Sequence, residues 1–392
     1  MKFSEKLDVI KQEFYKRAPI YDELSVFPIE NYELICELDL HNLNLGYEYG
    51  GEDLGVKETC DFLIEIGSSC SSTALSLAMH YYSLGAFKSI FDDEQKDRIF
   101  KEVQTQKVFF GSVNDPDIYF IKNANELCEQ YSLFAEKVPG GYIINGVKPY
   151  VSGSPKVRYL PLYSYQASAK KGVYKLSLLI ADLEADGVSI DNSWDYAALK
   201  ASETNNIYFK NVFVPQEQLV GEEGKGVEQS PSLIYWFRLS LSAVYQGIAK
   251  QAYQYILEKT KQKIDRFSKK PLSIMPNVQY HLADMKIKLE VSYSQLTRCA
   301  IQADEEEKKG ICSEELYKQS LITQNFITKT ANEIVWLAMQ IEGMSSLNIG
   351  STLERLYRDV RAATFHPPNS DLSKELLAKK ELGLIMFKNR WC

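Results

Sequence analysis

No apolar run in this 392-residue chain is long enough to span a bilayer, which takes about 20 consecutive apolar residues. The opening MKFSEKLDVIKQEFYKRA lacks the apolar centre of a secretion signal and reads as an amphipathic helix. The seven cysteines (36, 60, 70, 128, 299, 312 and 392) contain no CxxC pair, and their number is odd. Both facts disfavour a disulfide framework or a zinc site and suit reduced thiols in the cytoplasm, so no metal centre is expected. Charge of one sign is never collected into a block. The net charge of -7 is spread along the chain, which argues against the basic face of a nucleic-acid binder. Glycine is concentrated only in GYEYGGEDLG (46–55), and that stretch lacks the GxGxxG or GxxxxGK[ST] spacing of a phosphate cradle.

What is present is ordinary globular composition, 45% hydrophobic and 25% charged, in a chain long enough for two or three domains. Periodicity divides it into three zones. Residues 1–105 read as helices, with small Ser, Ala and Leu side chains over 64–81. Residues 106–222 change to β-branched and aromatic runs: YIINGVKPYV (142–151), whose Asn-Gly is the signal of a tight hairpin turn, then YLPLYSYQA, YKLSLLIADL and NIYFKNVFVP. These predict a small, largely antiparallel β domain. Residues 223–392 return to helices over 239–264, 278–309 and 313–343, long enough to pack as a bundle and to leave apolar surface for an oligomer interface. The acidic run from Asp304 to Lys309 reads as a solvated helix end.

The stretch 353–383, LERLYRDVRAATFHPPNSDLSKELLAKKELG, carries the most chemistry. Arg355, Arg358 and Arg361 form a stripe on a helix whose apolar face is Leu353, Leu356 and Val360. Pro367 disfavours the α conformation at His366, so this histidine falls at a helix end or just beyond it. Asn369, Ser370 and Asp371 offer N-caps for another helix. Spacing alone leaves two readings open, a capped helical hairpin with an incidental histidine or a histidine set to face a cleft.

Five elements, in order, resemble the acyl-CoA dehydrogenase superfamily. GYEYGG (46–51) is similar to its PxxYGG element, and GYIINGVKPYVSGS (141–154) to its flavin-approaching hairpin. WDYAALKASETNNIYFKNVFVPQEQLVGEEGKG (194–226), VQYHLADM (278–285) and LERLYRD (353–359) are similar to three further family motifs. The resemblance implies an α+β fold with an N-terminal helical domain, a middle β-barrel or sheet domain and a C-terminal four-helix bundle. It also implies a homotetramer and a flavin. On the family pattern Tyr150 would pack on the isoalloxazine ring and Ser152 would bond near N5; without it they are a strand aromatic and a turn residue. Asn114, in FFGSVNDP, stands in the other flavin-contacting segment and offers an amide to the pyrimidine edge. At the adenine end Arg266 lies out of register in IDRFSKKPLS. Gln340 and Gly343 are retained in QIEGMSSL, where the family's further glycines are not. FAD, or reduced FMN borrowed from a flavin reductase, are both compatible.

The departure from the family is at the base. Counting thirteen residues from Glu354, where the family's catalytic glutamate stands, reaches Pro367; the alternative position before Arg238 holds Phe237. His366 instead resembles the histidine of the superfamily's flavin-dependent monooxygenases, which activate oxygen as a C4a-(hydro)peroxyflavin and need a proton handler of near-neutral pKa. His80, in LAMHYYSLG, is a second candidate where family members line the substrate cavity, although its apolar neighbours favour a hydrogen-bonded core histidine. Tyr81, Tyr82 and Trp236 read as pocket-shaping or as core. The expected function is a flavin-dependent oxidoreductase, foremost a monooxygenase of a small molecule. The alternatives are an acyl-CoA or acyl-carrier-protein dehydrogenase with a displaced base, Glu203 for instance, and a catalytically silent flavin-binding relative.

Overall fold

The computed structural model describes residues 1–115, 118, 132–167, 174–192, 194–265 and 267–384. Four helices open the chain: α1 (Phe3–Leu24), α2 (Ile29–Glu37), α3 (Val56–Gly67) and α4 (Ser71–Ile90). Short helical turns follow between Asp93 and Gln106. α4 is buried along nearly its whole length, and its serines and alanines explain how: they carry too little volume to keep neighbours away.

Eight strands form one sheet, β1 (Phe109–Phe110), β2 (Phe134–Val138), β3 (Gly141–Val151), β4 (Val157–Ala167), β5 (Tyr174–Asp182), β6 (Val188–Asp191), β7 (Asn205–Pro215) and β8 (Leu219–Val220). Their order is β6-β7-β3-β2-β4-β5-β8, with β1 beside β4. Most pairs are antiparallel; β4 also pairs in parallel with β1 and with one residue of β2. The Asn145-Gly146 dipeptide is not the hairpin turn its sequence predicts. It lies inside β3, at a register shift against β7, and the tight turn falls instead between Val138 and Gly141. Gly146 has φ +129, and a Cβ there would lie 1.9 Å from the Ser132 carbonyl oxygen. The glycine permits a bulge and a close backbone approach rather than a chain reversal.

The last third is helical: α5 (Ser232–Gln262), α6 (Pro276–Lys308), α7 (Glu314–Glu342), α8 (Thr352–Arg361) and α9 (Ser370–Glu381). Among the described residues no helix is long and apolar enough to cross a membrane. α5 is the centre of the molecule, packing on α7, α3 and α4. The end of α6 is less solvated than its charge suggests. Asp304 accepts the N–H groups of Val56 and Lys57 at 2.6 and 3.1 Å, capping α3, and Glu306 caps Ser313. Orphan helix-end donors placed within reach of these carboxylates account for the difference.

Candidate active site

Pro367 ends the helical path after α8 and its 3-10 turn (Ala362–Thr364), leaving His366 in the bend that leads to α9. The histidine is half-buried. One ring nitrogen, Nε2, lies 2.6 Å from the Tyr245 hydroxyl of α5. Tyr245 is buried, and no sequence signal tied it to a residue 121 positions away. Burial drops the imidazole pKa to about 4, so His366 is neutral near pH 7. The same desolvation pushes the Tyr245 phenol well above its usual range.

The arginine stripe of α8 is split among different surroundings. Arg358 bonds Asp22 at 3.0 Å and the Ala197 carbonyl at 2.7 Å, Arg361 reaches Asn332, and Arg355 is buried. Asp359, on the same helix, accepts the Leu199 N–H at 2.7 Å. Burial pushes its carboxyl up to about 6, opposed by the Leu199 N–H and by the two arginine charges. That bond fastens α8 to the 3-10 turn Lys200–Ser202, which in turn reaches the end of β3 through hydroxyls. Ser202 and Thr204 are 2.8 Å apart, and Thr204 donates to Ser152 at 2.9 Å. Tyr150 precedes this relay with φ +57 and half its surface exposed, its N–H facing Asn206 at 3.4 Å. The strained backbone turns the aromatic ring out of the sheet.

Tyr150 and Ser152 are therefore brought together at one strand end. Asn114 joins the site through β3. Lys148, two residues before Tyr150, is wholly buried; its ammonium donates to the Asn114 carbonyl at 2.6 Å and lies 3.5 Å from Asp115. Tyr82 of α4 accepts the Val113 N–H at 2.8 Å and meets Ser112 at 2.7 Å. Tyr82 and the buried Lys148 both hold the segment of Asn114, and the sequence reading assigned neither that role. With Thr204 donating into Ser152, the relay ends on the Ser152 hydroxyl, which donates to no other group among the described residues. An exposed aromatic face, a hydroxyl donor and an amide side chain suit the ring of a flavin.

His80 does not join His366. Its Nδ1 accepts the Phe110 N–H at 3.0 Å and its Nε2 donates to the His41 carbonyl at 2.6 Å, so both nitrogens are used in the core. Burial lowers its pKa to about 3. Tyr81 is likewise core, donating to the Leu40 carbonyl. Gln340 and Gly343 sit exposed at the far end of α7, Gly343 with φ +80 as its C-cap, and Arg266 lies outside the described residues. Behind Asn114 is a narrow cavity of about 20 Å³, lined by Tyr82, Tyr163, Leu233 and Phe237 among others. Phe237 packs edge-on against Tyr82 with centroids 5.4 Å apart. Glu203, a possible displaced base, accepts from Asn205 at 2.8 Å in a left-handed turn. Among the described residues no cluster of His, Cys, Asp and Glu could hold a metal ion.

Comparison with known proteins agrees with this fold. The acyl-CoA dehydrogenase N-terminal domain family matches residues 7–107 and its C-terminal domain family residues 239–370, together more than half of the chain. The acryloyl-CoA reductase (NADH) of Anaerotignum propionicum is 24% identical over 367 residues, 92% of this chain and 89% of that one. The crystal structure of dibenzothiophene monooxygenase from Paenibacillus sp. A11-2 superposes with a TM-score of 0.87 at 18% identity, covering 99% of both chains. Methanesulfinate monooxygenase from Pseudomonas fluorescens gives a TM-score of 0.87 at 19% identity over 100% of both chains. The chain belongs to the acyl-CoA dehydrogenase superfamily of flavin-dependent oxidoreductases.

Proposed function

We propose that this protein is a flavin-dependent monooxygenase of a small nitrogen, sulfur or aromatic substrate, with His366 handling the proton at the reacting face. One observation carries the reading. The imidazole of His366, held by Tyr245, stands next to Pro367, while both positions at which the superfamily places a carboxylate base are occupied by Pro367 and Phe237. A dehydrogenase must take an α proton, and at those positions this chain has no group to take it.

Tyr150, Ser152 and Asn114 would hold the flavin ring. A bound reduced flavin supplies the electrons and the place where dioxygen is activated. Ser152 would offer its hydroxyl to the ring, the Lys148–Asp115 pair holds the segment of Asn114, and neutral His366 would deliver or shuttle a proton. The flavin would be FAD, whose adenine end Gln340 and Gly343 of a neighbouring chain would reach, or FMN supplied by a reductase, in keeping with the glycines missing from the adenine-end motifs. A crystal structure of the dibenzothiophene monooxygenase contains FMN and indole, which accords with a small aromatic substrate. The second reading is an acyl thioester reductase or dehydrogenase, favoured by the identity with acryloyl-CoA reductase; Glu203 would then have to leave Asn205.

The test is rapid mixing of the flavin-reduced protein with oxygenated buffer. In the wild type a transient absorbance distinct from both reduced and oxidised flavin is expected. In His366→Ala it should decay about a hundredfold faster, the low end of what a positioned acid–base group contributes. Featureless reoxidation in both proteins, with bleaching of oxidised flavin by an acyl thioester, would overturn the proposal.

A further inference from the structure

Tyr245 sits in the middle of α5, beside Ala243 and Gly247, and its side chain is fully buried. Among the described residues its hydroxyl has one hydrogen-bond partner, His366 Nε2. Nδ1 of the same imidazole has no bond to any described residue, and it is not among the fully buried polar atoms that lack a partner. It therefore lies on the open side of a half-buried ring.

Two arrangements could share that bond: the phenol donates to Nε2, or an Nε2–H donates to the phenol. A phenol is the stronger acid of the two neutral donors and an imidazole nitrogen the stronger acceptor, so O–H donation to nitrogen is the better bond. The partner of one imidazole nitrogen decides which nitrogen carries the proton.

We propose that Tyr245 is a positioning residue that donates to Nε2 and thereby fixes His366 as the neutral tautomer protonated on Nδ1, with that N–H presented to the open face. The other core histidines are held the opposite way. His80 accepts at Nδ1 from the Phe110 N–H, so its proton is on Nε2, which bonds the His41 carbonyl. His41 directs Nε2 at the Val103 carbonyl at 3.1 Å, which likewise requires the proton on Nε2. His281 lies on α6 without a fixed partner among the described residues.

The assignment has a chemical consequence. A ring that shows Nδ1–H to the reacting face gives a proton there and cannot accept one until it has done so. That suits protonation of an oxygen-derived leaving atom, the ring then recovering a proton at Nδ1 from water on its open side. It does not suit abstraction of an α proton. This consequence rests on the proposed function; the tautomer itself does not.

The experiment is ¹⁵N magnetic resonance of full-length protein labelled with [¹⁵N]histidine, at neutral pH, for the wild type, His366→Gln and Tyr245→Phe. The wild type should show one imidazole with a protonated Nδ1 and a bare, hydrogen-bonded Nε2, and this pair of signals should vanish in His366→Gln. In Tyr245→Phe the pair should be replaced by a ring protonated on Nε2, the form that free imidazole side chains prefer. A wild-type His366 already protonated on Nε2, or a pattern that survives Tyr245→Phe, would overturn the proposal. Should Tyr245→Phe fail to fold, the wild type minus His366→Gln difference still decides the tautomer. Since this readout needs no oxygen chemistry, a negative oxygen experiment with a positive spectrum would discard the monooxygenase and keep the tautomer, and the reverse result would do the opposite.

Discussion

Lys148 and Asp115 take both their charges almost wholly out of water, at 0% and 1% side-chain exposure, to hold one short segment in place. Their attraction is offset by the desolvation of two ions, so the pair as a unit is a weak source of stability. Removing one partner is another matter, because the remaining charge stays buried and loses this contact. Lys148→Met should therefore destabilise the fold by about 3–5 kcal/mol, and adding Asp115→Leu should recover much of that loss. Urea melts of the two single variants and the double variant measure it. A Lys148→Met protein within about 1 kcal/mol of wild type would show that Asp115 does not depend on this ammonium, whatever its other contacts. The same ammonium holds the Asn114 carbonyl, so flavin affinity should fall along with stability. In the sequence Lys148 was only part of a motif resembling the flavin hairpin. Its burial depends on Asp115 and Asn114, more than 30 residues away, and residue-type patterns do not report such distances.

The crossing of α3 and α5 sets where Tyr245 stands. A Cβ on Gly247 would lie 2.5 Å from the Ile64 carbonyl oxygen, and one on Gly67 2.7 Å from the Val244 carbonyl oxygen, so the two helices touch backbone to backbone. Gly247→Ala must push them apart, at a cost of about 1–3 kcal/mol for overpacking. Because Tyr245 is half a turn away, its hydroxyl should also move off His366. The expected result is a lower melting temperature together with faster decay of the oxygen-dependent transient. An unchanged melting temperature would mean that α3 adjusts freely, contrary to this packing. Elements of this kind were partly legible beforehand. The long helices of the C-terminal third showed through because many apolar positions repeat at 3.6 residues, and their observed ends fall within a few residues of the expected ones except at the start of α5. Asn145-Gly146 was misread because a bulge and a hairpin turn ask for the same residues; only the approach of Ser132 distinguishes them. The acidic end of α6 was misread because the helix it caps begins some 250 residues earlier. His366 was legible as a helix-end histidine beside a proline, whereas its Tyr245 partner, on a helix read only as apolar, was not.

At the scale of the whole molecule, the two outer helices of the bundle leave large apolar side chains in water. Tyr280, Ile287 and Val291 on α6 are at least half exposed, as is Trp336 on α7, and Met344 and Ile349 in the turn that follows are at 83% and 97%. Apolar side chains gathered on neighbouring helices in this way, rather than scattered singly, mark an association surface. A symmetric assembly of identical chains is the simplest way to cover them, and the homotetramer that the family resemblance implies would have the C-terminal helices at its centre. Gln340, in the last turn of α7, and Gly343, its C-cap, adjoin this surface, and in the family resemblance they reach a neighbour's cofactor. If that holds here, association and flavin binding are linked: anything that binds only the assembled form stabilises it, and dissociation must weaken the binding. Ile287→Lys would place a charge at the middle of the proposed interface without touching Tyr150, Ser152 or His366. Sedimentation velocity should find the wild type assembled and the variant dissociated, and flavin titration should show the variant binding at least about tenfold more weakly, a coupling of about 1.4 kcal/mol. A wild type that sediments as a monomer would remove the interface. A dissociated variant that binds flavin as tightly as the wild type would leave the interface and remove Gln340 and Gly343 from the cofactor site, making each protomer a complete flavin binder on its own β3 and α8.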